Sequence, residues 1–180
     1  MGPNTATSDR DRDIGIDVAI VTENNYSFRE RLDSPLLGSP LRLLEKGAML
    51  ALLERVPTGD YYNVIDFETN TEGWIHKDVV SIKLTDKPNP PPDFEETRTR
   101  SDVDPTLKIT NQTDKTLRLR LGGQLHIIAP RVERTLELRP GKYKFFASVP
   151  GVIPVVGDHY FLKGITTSWR FFITTQRQTP

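Results

Sequence analysis

The sequence predicts an all-β chain built as a small barrel followed by a β-sandwich. Apolar residues recur at period two in short runs, as strands that bury one face require. Gly, Pro, Asn and Asp separate those runs at turn-like intervals. A proline-rich, charged stretch, KPNPPPDFEETRTRSDVDP, divides the runs into two groups. Its prolines favour extended polyproline geometry and its charges resist collapse, so residues 85–105 are expected to be a linker.

Before the linker, residues 1–15 read as a flexible tail, because Asp9, Arg10, Asp11, Arg12 and Asp13 offer nothing to bury. The barrel is expected over residues 16–84. Its β-like runs are DVAIV (17–21), MLALLERV (49–56), YYNVIDF (61–67) and GWIH (73–76). LLGSPLRLLEKG has a faintly helical start, but Pro40 within it and Gly47 at its end leave little room for a helix. In GWIH, alternation places Gly73 and Ile75 on one face and Trp74 and His76 on the other. Ile75 is expected to point into the barrel. HKDVV then makes a short turn before the last strand, SIKL.

The sandwich is expected over residues 106–178. TLKIT, TLRLRL, QLHIIA, RTLEL, KYKFFASV, HYFLKG and SWRFFITT read as seven strands, joined by NQTDK, GG, PRVE, RPG, PGVIPVVGD and GIT. In TLRLRL, Leu117, Leu119 and Leu121 share one face, and Arg118 and Arg120 share the other.

Charge is distributed unevenly over the 180 residues. Lys and Arg total 24, as do Asp and Glu, but residues 1–104 carry a net −8 and residues 105–180 a net +8. Such a split either holds the halves together or turns a basic face toward an anionic surface. The absence of cysteine rules out disulfides, thiol nucleophiles and thiolate metal sites. No run of 18 apolar residues is present, so no transmembrane segment is expected. The Met-Gly opening before a polar tail suits a chain from which an export signal has been trimmed.

Four segments carry a resemblance: SFR (27–29), PLRLLEKGAMLALLE (40–54), YYNV (61–64) and GWIHKDVVSI (73–82). Together they resemble a bacterial SH3 domain over roughly residues 16–84, the small barrel of envelope proteins and cell-wall hydrolases. The resemblance implies an SH3-like barrel and a location in the cell envelope or periplasm. One departure matters. Where the family commonly has glycine-proline after the arginine, this chain reads Glu30-Arg31-Leu32-Asp33-Ser34-Pro35, so the loop bordering the family's peptide groove is rebuilt. The second half resembles immunoglobulin-like or transthyretin-like sandwiches in pattern only.

Trp74, with Tyr26, Tyr61 and Tyr62, forms a candidate aromatic shelf for a peptide or sugar. The expected groove residues are Tyr26, Arg29, Tyr62, Trp74 and His76, with Arg29 supplying a carboxylate partner. The competing reading is that Trp74 only caps the barrel against the rest of the chain. In the second half, Arg118, Arg120, Lys142 and Lys144, extended by Arg131, Arg134 and Arg139, form a candidate basic face, unless that face merely meets the acidic half. PGVIPVVG holds a candidate partner loop, Val152, Ile153, Val155 and Val156, which is either an exposed sticky tip or folded back onto the sandwich.

His76, His126 and His159 lack metal-ligand spacing, and no GxSxG, HExxH, P-loop or GxGxxG motif occurs. Neither a metal nor a cofactor nor catalytic residues are expected. Nucleic acid is not the expected partner, since no helix or RNP-like strand accompanies the positive charge. The expected function is non-catalytic binding or scaffolding in a bacterial cell envelope, the barrel recognising a peptide or cell-wall fragment. Two alternatives are a structural or assembly subunit pairing through the sandwich with another envelope protein, and an accessory region of a cell-wall hydrolase.

Overall fold

The computed structural model describes residues 16–24, 26–30, 41–84 and 93–173. The expected tail at 1–15, the rebuilt loop at 31–40, the 85–92 part of the linker and residues 174–178 of the sandwich lie outside the described residues. The described chain is all-β, with one 3-10 turn and no α-helix.

The N-terminal unit contains β1 (Asp17–Val21), β2 (Tyr26–Phe28), β3 (Arg42–Leu44), β4 (Met49–Leu52), β5 (Tyr61–Asp66), β6 (Glu72–His76) and β7 (Val80–Leu84). Five of these form one antiparallel sheet in the order β6-β5-β4-β1-β7, and β2 with β3 forms a separate ribbon. The sheet is open rather than closed into a barrel. The ribbon covers its inner face, enclosing Ala19, Val21, Phe28, Leu44, Leu50, Leu52, Val64, Ile75 and Val79. A two-way backbone bridge, Arg29 N to Trp74 O at 3.1 Å and Trp74 N to Arg29 O at 2.7 Å, ties the ribbon to β6.

Glycine permits that bridge. A Cβ on Gly73 would lie 2.5 Å from the Arg29 carbonyl oxygen and 2.6 Å from the Phe28 ring. Close approach of ribbon to sheet therefore requires no side chain at this position. Gly47 serves the turn into β4, at φ +92°. The strand expected over 49–56 stops at Leu52, since Glu54, Arg55 and Val56 are exposed and leave the sheet.

The C-terminal unit contains β8 (Asp93–Arg98), β9 (Thr106–Asn111), β10 (Leu117–Leu121), β11 (Gln124–Ile128), β12 (Glu133–Glu137), β13 (Gly141–Ser148), β14 (Val155–Phe161) and β15 (Ile165–Phe171). Two four-stranded sheets, β11-β10-β13-β14 and β12-β9-β15-β8, contribute residues to one core around Leu119, Ile109, Phe145, Phe161 and Trp169. Leu117, Leu119 and Leu121 point into it, as alternation requires. Two corrections follow. DFEETR, within the expected linker, is strand β8, paired antiparallel with β15. The strand expected at HYFLKG starts four residues earlier, at Val155, so Val155 and Val156 belong to β14 rather than to a loop.

A third cluster joins the units. Ile16, Val18, Ala51 and Ile65, on the outer face of the N-terminal sheet, pack on Phe146, with Ile153 and Val156 beside them. This contact explains why FFAS (145–148) is buried at every position: Phe145 and Ala147 face the sandwich core, while Phe146 and Ser148 face the other unit. Polar groups close the same seam. Ser148 Oγ donates to Asn70 Oδ1 at 2.6 Å, and Asn70 Nδ2 donates to the Ser148 carbonyl at 3.3 Å. Of the two readings of PGVIPVVG, exposed tip or segment folded back, the packing fits the second: Ile153 and Val156 pack on the joining cluster, Val152 and Val155 on the sandwich core.

Substituting Gly73→Ala should destabilise the protein by about 2 kcal/mol, the usual cost of forcing extra volume into a packed site. Urea denaturation measures it, and an unchanged midpoint would show that the ribbon has room to move.

Candidate functional site

The outer face of β5 and β6 carries the expected groove. Directly opposed residues of an antiparallel pair point to the same side, so the registers Tyr61↔His76, Asn63↔Trp74 and Ile65↔Glu72 put six side chains on one surface. The Arg29↔Trp74 bridge adds Arg29. Along the strands the surface has three rows: Glu72 with Ile65, then Trp74 with Asn63, then His76 with Tyr61. The first row enters the seam; Trp74 and the His76–Tyr61 pair are only half-buried.

Contacts within the upper rows fix the side chains. Tyr61 and His76 meet edge-to-face with ring centroids 5.0 Å apart. The Arg29 guanidinium lies over the Tyr61 ring, 5.7 Å from its centroid, within cation–π range. No carboxylate among the described residues pairs with Arg29. The Asp78 N–H donates to His76 Nδ1 at 3.3 Å and caps the 3-10 turn Lys77–Val79. With Nδ1 accepting, the neutral ring carries its proton on Nε2, which makes Nε2–H a donor. Lys77 Nζ lies 2.9 Å from Asp60, and this exposed pair lowers the Asp60 carboxyl and raises the Lys77 ammonium from their ordinary values, chiefly through the hydrogen bond between them.

Tyr62 requires a correction. Its register partner is Ile75, so it lies on the inner face and packs against the N-terminal core rather than beside Trp74. Tyr61 takes its place. Tyr26 lies in β2, and its side chain is outside the described part of the structure. Two residues escaped the sequence reading, Asn63 and Glu72. Their signal is the pairing of YYNVI with EGWIH, which composition does not reveal and register does.

Glu72 connects this face to the seam. Its Oε2 accepts from Arg120 at 2.5 Å and from Arg118 at 3.3 Å, while its Oε1 accepts from Asn63 Nδ2 at 3.2 Å. The expected basic face is therefore largely committed within the chain. Arg118 and Arg120 clasp Glu72, Lys142 pairs with Asp158 at 2.9 Å, and Lys144 lines a cleft of about 720 Å³ along the seam. Lys142, which is exposed, has its ammonium raised by the Asp158 hydrogen bond. The partition of charge along the sequence acts here as attraction between halves.

The other histidines are remote from this face. His126 faces the sandwich interior at the β11 edge, opposite Leu119, and burial with the Arg134 charge lowers its pKa. His159 faces inward from β14, while its neighbour Asp158 faces outward to Lys142. Among the described residues no three acidic or histidine side chains are grouped as a metal site would need. No protein-family model matches the chain, and neither a curated protein nor a solved structure shows significant similarity to it.

Glu72→Ala should destabilise the protein by about 2 kcal/mol, because two part-buried guanidinium groups lose their shared carboxylate. The double variant Glu72→Ala/Arg120→Ala should cost less than the sum of the single changes if the pair is coupled. Denaturant titration of the unchanged chain, both single variants and the double variant measures that coupling, and strict additivity would show that Glu72 and Arg120 are not energetically paired.

Proposed function

We propose that this chain is a non-catalytic binding protein, in which an SH3-like unit presents the outer face of β5 and β6 to a peptide or cell-wall fragment and an immunoglobulin-like sandwich holds it in place. The observation that carries this reading is that Trp74, His76, Tyr61 and Arg29 share one surface, left uncovered one row beyond the seam. A core packing role for Trp74 would demand burial, and Trp74 keeps part of its surface exposed beside Arg29, which pairs with no carboxylate among the described residues.

The chemistry of the face selects the ligand class. An indole and a phenol provide stacking area, Arg29 provides a charge for a carboxylate, and His76 Nε2–H provides a directed donor. A short peptide bearing a carboxylate, free or attached to a glycan, satisfies all three. The SH3-like reading of residues 16–84 is supported by the five-stranded sheet whose last strand pairs with the first, and by the ribbon bridged to β6. A cell-envelope location rests on the sequence resemblance alone.

The two tryptophans make a direct test. Trp169 is fully buried in the sandwich core, so a fluorescence change on adding ligand reports Trp74. Titration with muropeptides should shift the emission of the unchanged chain, and Trp74→Phe should lose the shift. Arg29→Ala should weaken binding roughly tenfold, the loss of one charge-assisted hydrogen bond. No shift with any muropeptide, or an equal shift in Trp74→Phe, would contradict the proposed site.

A further inference from the structure

Strand β8 is one of the edge strands of the sandwich, with little of its surface buried. It lies at the edge of its sheet and pairs only with β15. Of its residues with described side chains, only Phe94 is part-buried; Glu95, Glu96, Thr97 and Arg98 are exposed. Just beyond it the chain is fastened, since Thr99 N–H donates to the Gly164 carbonyl at 2.7 Å. The Phe94 end is held by its ladder to β15, by the surface ion pair of Glu95 with Arg170 at 2.5 Å, and on the inner side by what Phe94 touches.

Phe94 stacks on His159, with ring centroids 5.2 Å apart and planes 20° apart, and meets Trp169 edge-on at 4.9 Å. His159 is also held against Phe161 at 4.7 Å. Beneath Phe94 and Glu96 the interior is poorly satisfied. His159 Nε2, Thr167 Oγ1 and Trp169 Nε1 are buried and make no well-formed hydrogen bond, the nearest approach being Glu96 Oε1 at 3.4 Å from His159 Nε2, and Thr167 and Trp169 are the register partners of Glu96 and Phe94. Three such atoms in one place are unusual, because buried polar groups are nearly always paired. Lifting β8 would expose one phenylalanine and let solvent reach all three.

We propose that β8 is a proton-operated latch: a proton added to His159 releases the Phe94 end of β8 from the β15 edge. The ring that Phe94 covers is the group whose charge decides whether it stays covered. A charged imidazole enclosed by Phe94, Phe161 and Trp169 loses its hydration, and burial accordingly lowers the His159 pKa below its ordinary value. Glu96 acts in the opposite direction from 3.4 Å, but its side chain is half exposed, so solvent screens it. Among the described side chains no other carboxylate faces the ring from the elements packed on it. From β13, Tyr143 spends its hydroxyl on the Arg139 carbonyl, and β15 contributes only Thr167 and Trp169. Arg98, two residues beyond Glu96 on β8, shares its face and adds positive charge. Asp158 and Tyr160 point to the opposite side of β14.

The sign follows. Because docking lowers the histidine's pKa, its contribution is fully present above the ordinary value of about 6.5 and is lost as pH falls from there toward the docked value. Release uncovers the N–H and C=O groups of the β15 edge for pairing with another strand.

Amide hydrogen exchange of residues 94–97, followed by NMR between pH 7.5 and 5.0 and corrected for intrinsic exchange, tests the latch. Protection should fall below about pH 6.5, by no more than tenfold per pH unit for a single proton, while β9 amides stay level. His159→Phe keeps the stacking surface and holds no proton, so it should flatten the profile. Glu96→Gln removes the opposing charge and should deepen the loss. A flat profile in the unchanged chain, an unaltered slope in His159→Phe, or no deepening in Glu96→Gln would overturn the proposal. Should His159→Phe fail to fold, the ring titration of His159 in the native chain decides: a midpoint below that of free histidine supports the latch, and one at or above it overturns it.

Discussion

One row of side chains across the N-terminal sheet, Glu72–Ile65–Ala51–Val18, meets the outer surface of the sandwich, and the arrangement of the whole chain depends on that contact. Ile65, Ala51 and Val18 supply the apolar surface that Phe146 covers, and Glu72 ends the row where Arg118 and Arg120 can reach it. The sheet is therefore buried on both faces along this line: inward by the ribbon, outward by the other unit. Burial of several aliphatic side chains at about 1.5–3 kcal/mol each outweighs what the ion cluster alone contributes. The charges set the register of the contact more than its strength.

The same row determines what is left over. One step along the strands, Trp74 and Asn63 lie outside the joining cluster, and one step further the half-buried His76 and Tyr61 lie with Arg29 alongside. Glu72 and Asn63 share a hydrogen bond, so seam and open face are mechanically continuous. A ligand on Trp74 would press on a surface whose neighbour is clamped by two arginines. Such backing keeps a binding face pre-formed, which lowers the ordering cost of association.

Much of the architecture was legible from period-two alternation. TLRLRL gave both its buried leucines and its outward arginines, and GWIH gave Ile75 to the core and Trp74 to the outside, because each has one apolar and one polar face. Legibility failed where a second surface intervened. FFAS and YYNVID are buried on adjacent residues by contacts from another unit, so parity could not say which tyrosine joins Trp74. DFEETR offered a single apolar residue, since an edge strand anchored by Phe94 alone has no alternation to read. For PGVIPVVG the choice between exposed tip and folded-back segment stayed open, because local sequence cannot reveal the cluster that receives Ile153 and Val156.

The central claim is that the two units behave as one body, joined along the Glu72–Ile65–Ala51–Val18 row and Phe146. Differential scanning calorimetry tests it most directly. A joined body should unfold in one transition whose calorimetric enthalpy equals its van't Hoff enthalpy. Two resolved transitions, one for each core, would contradict the account.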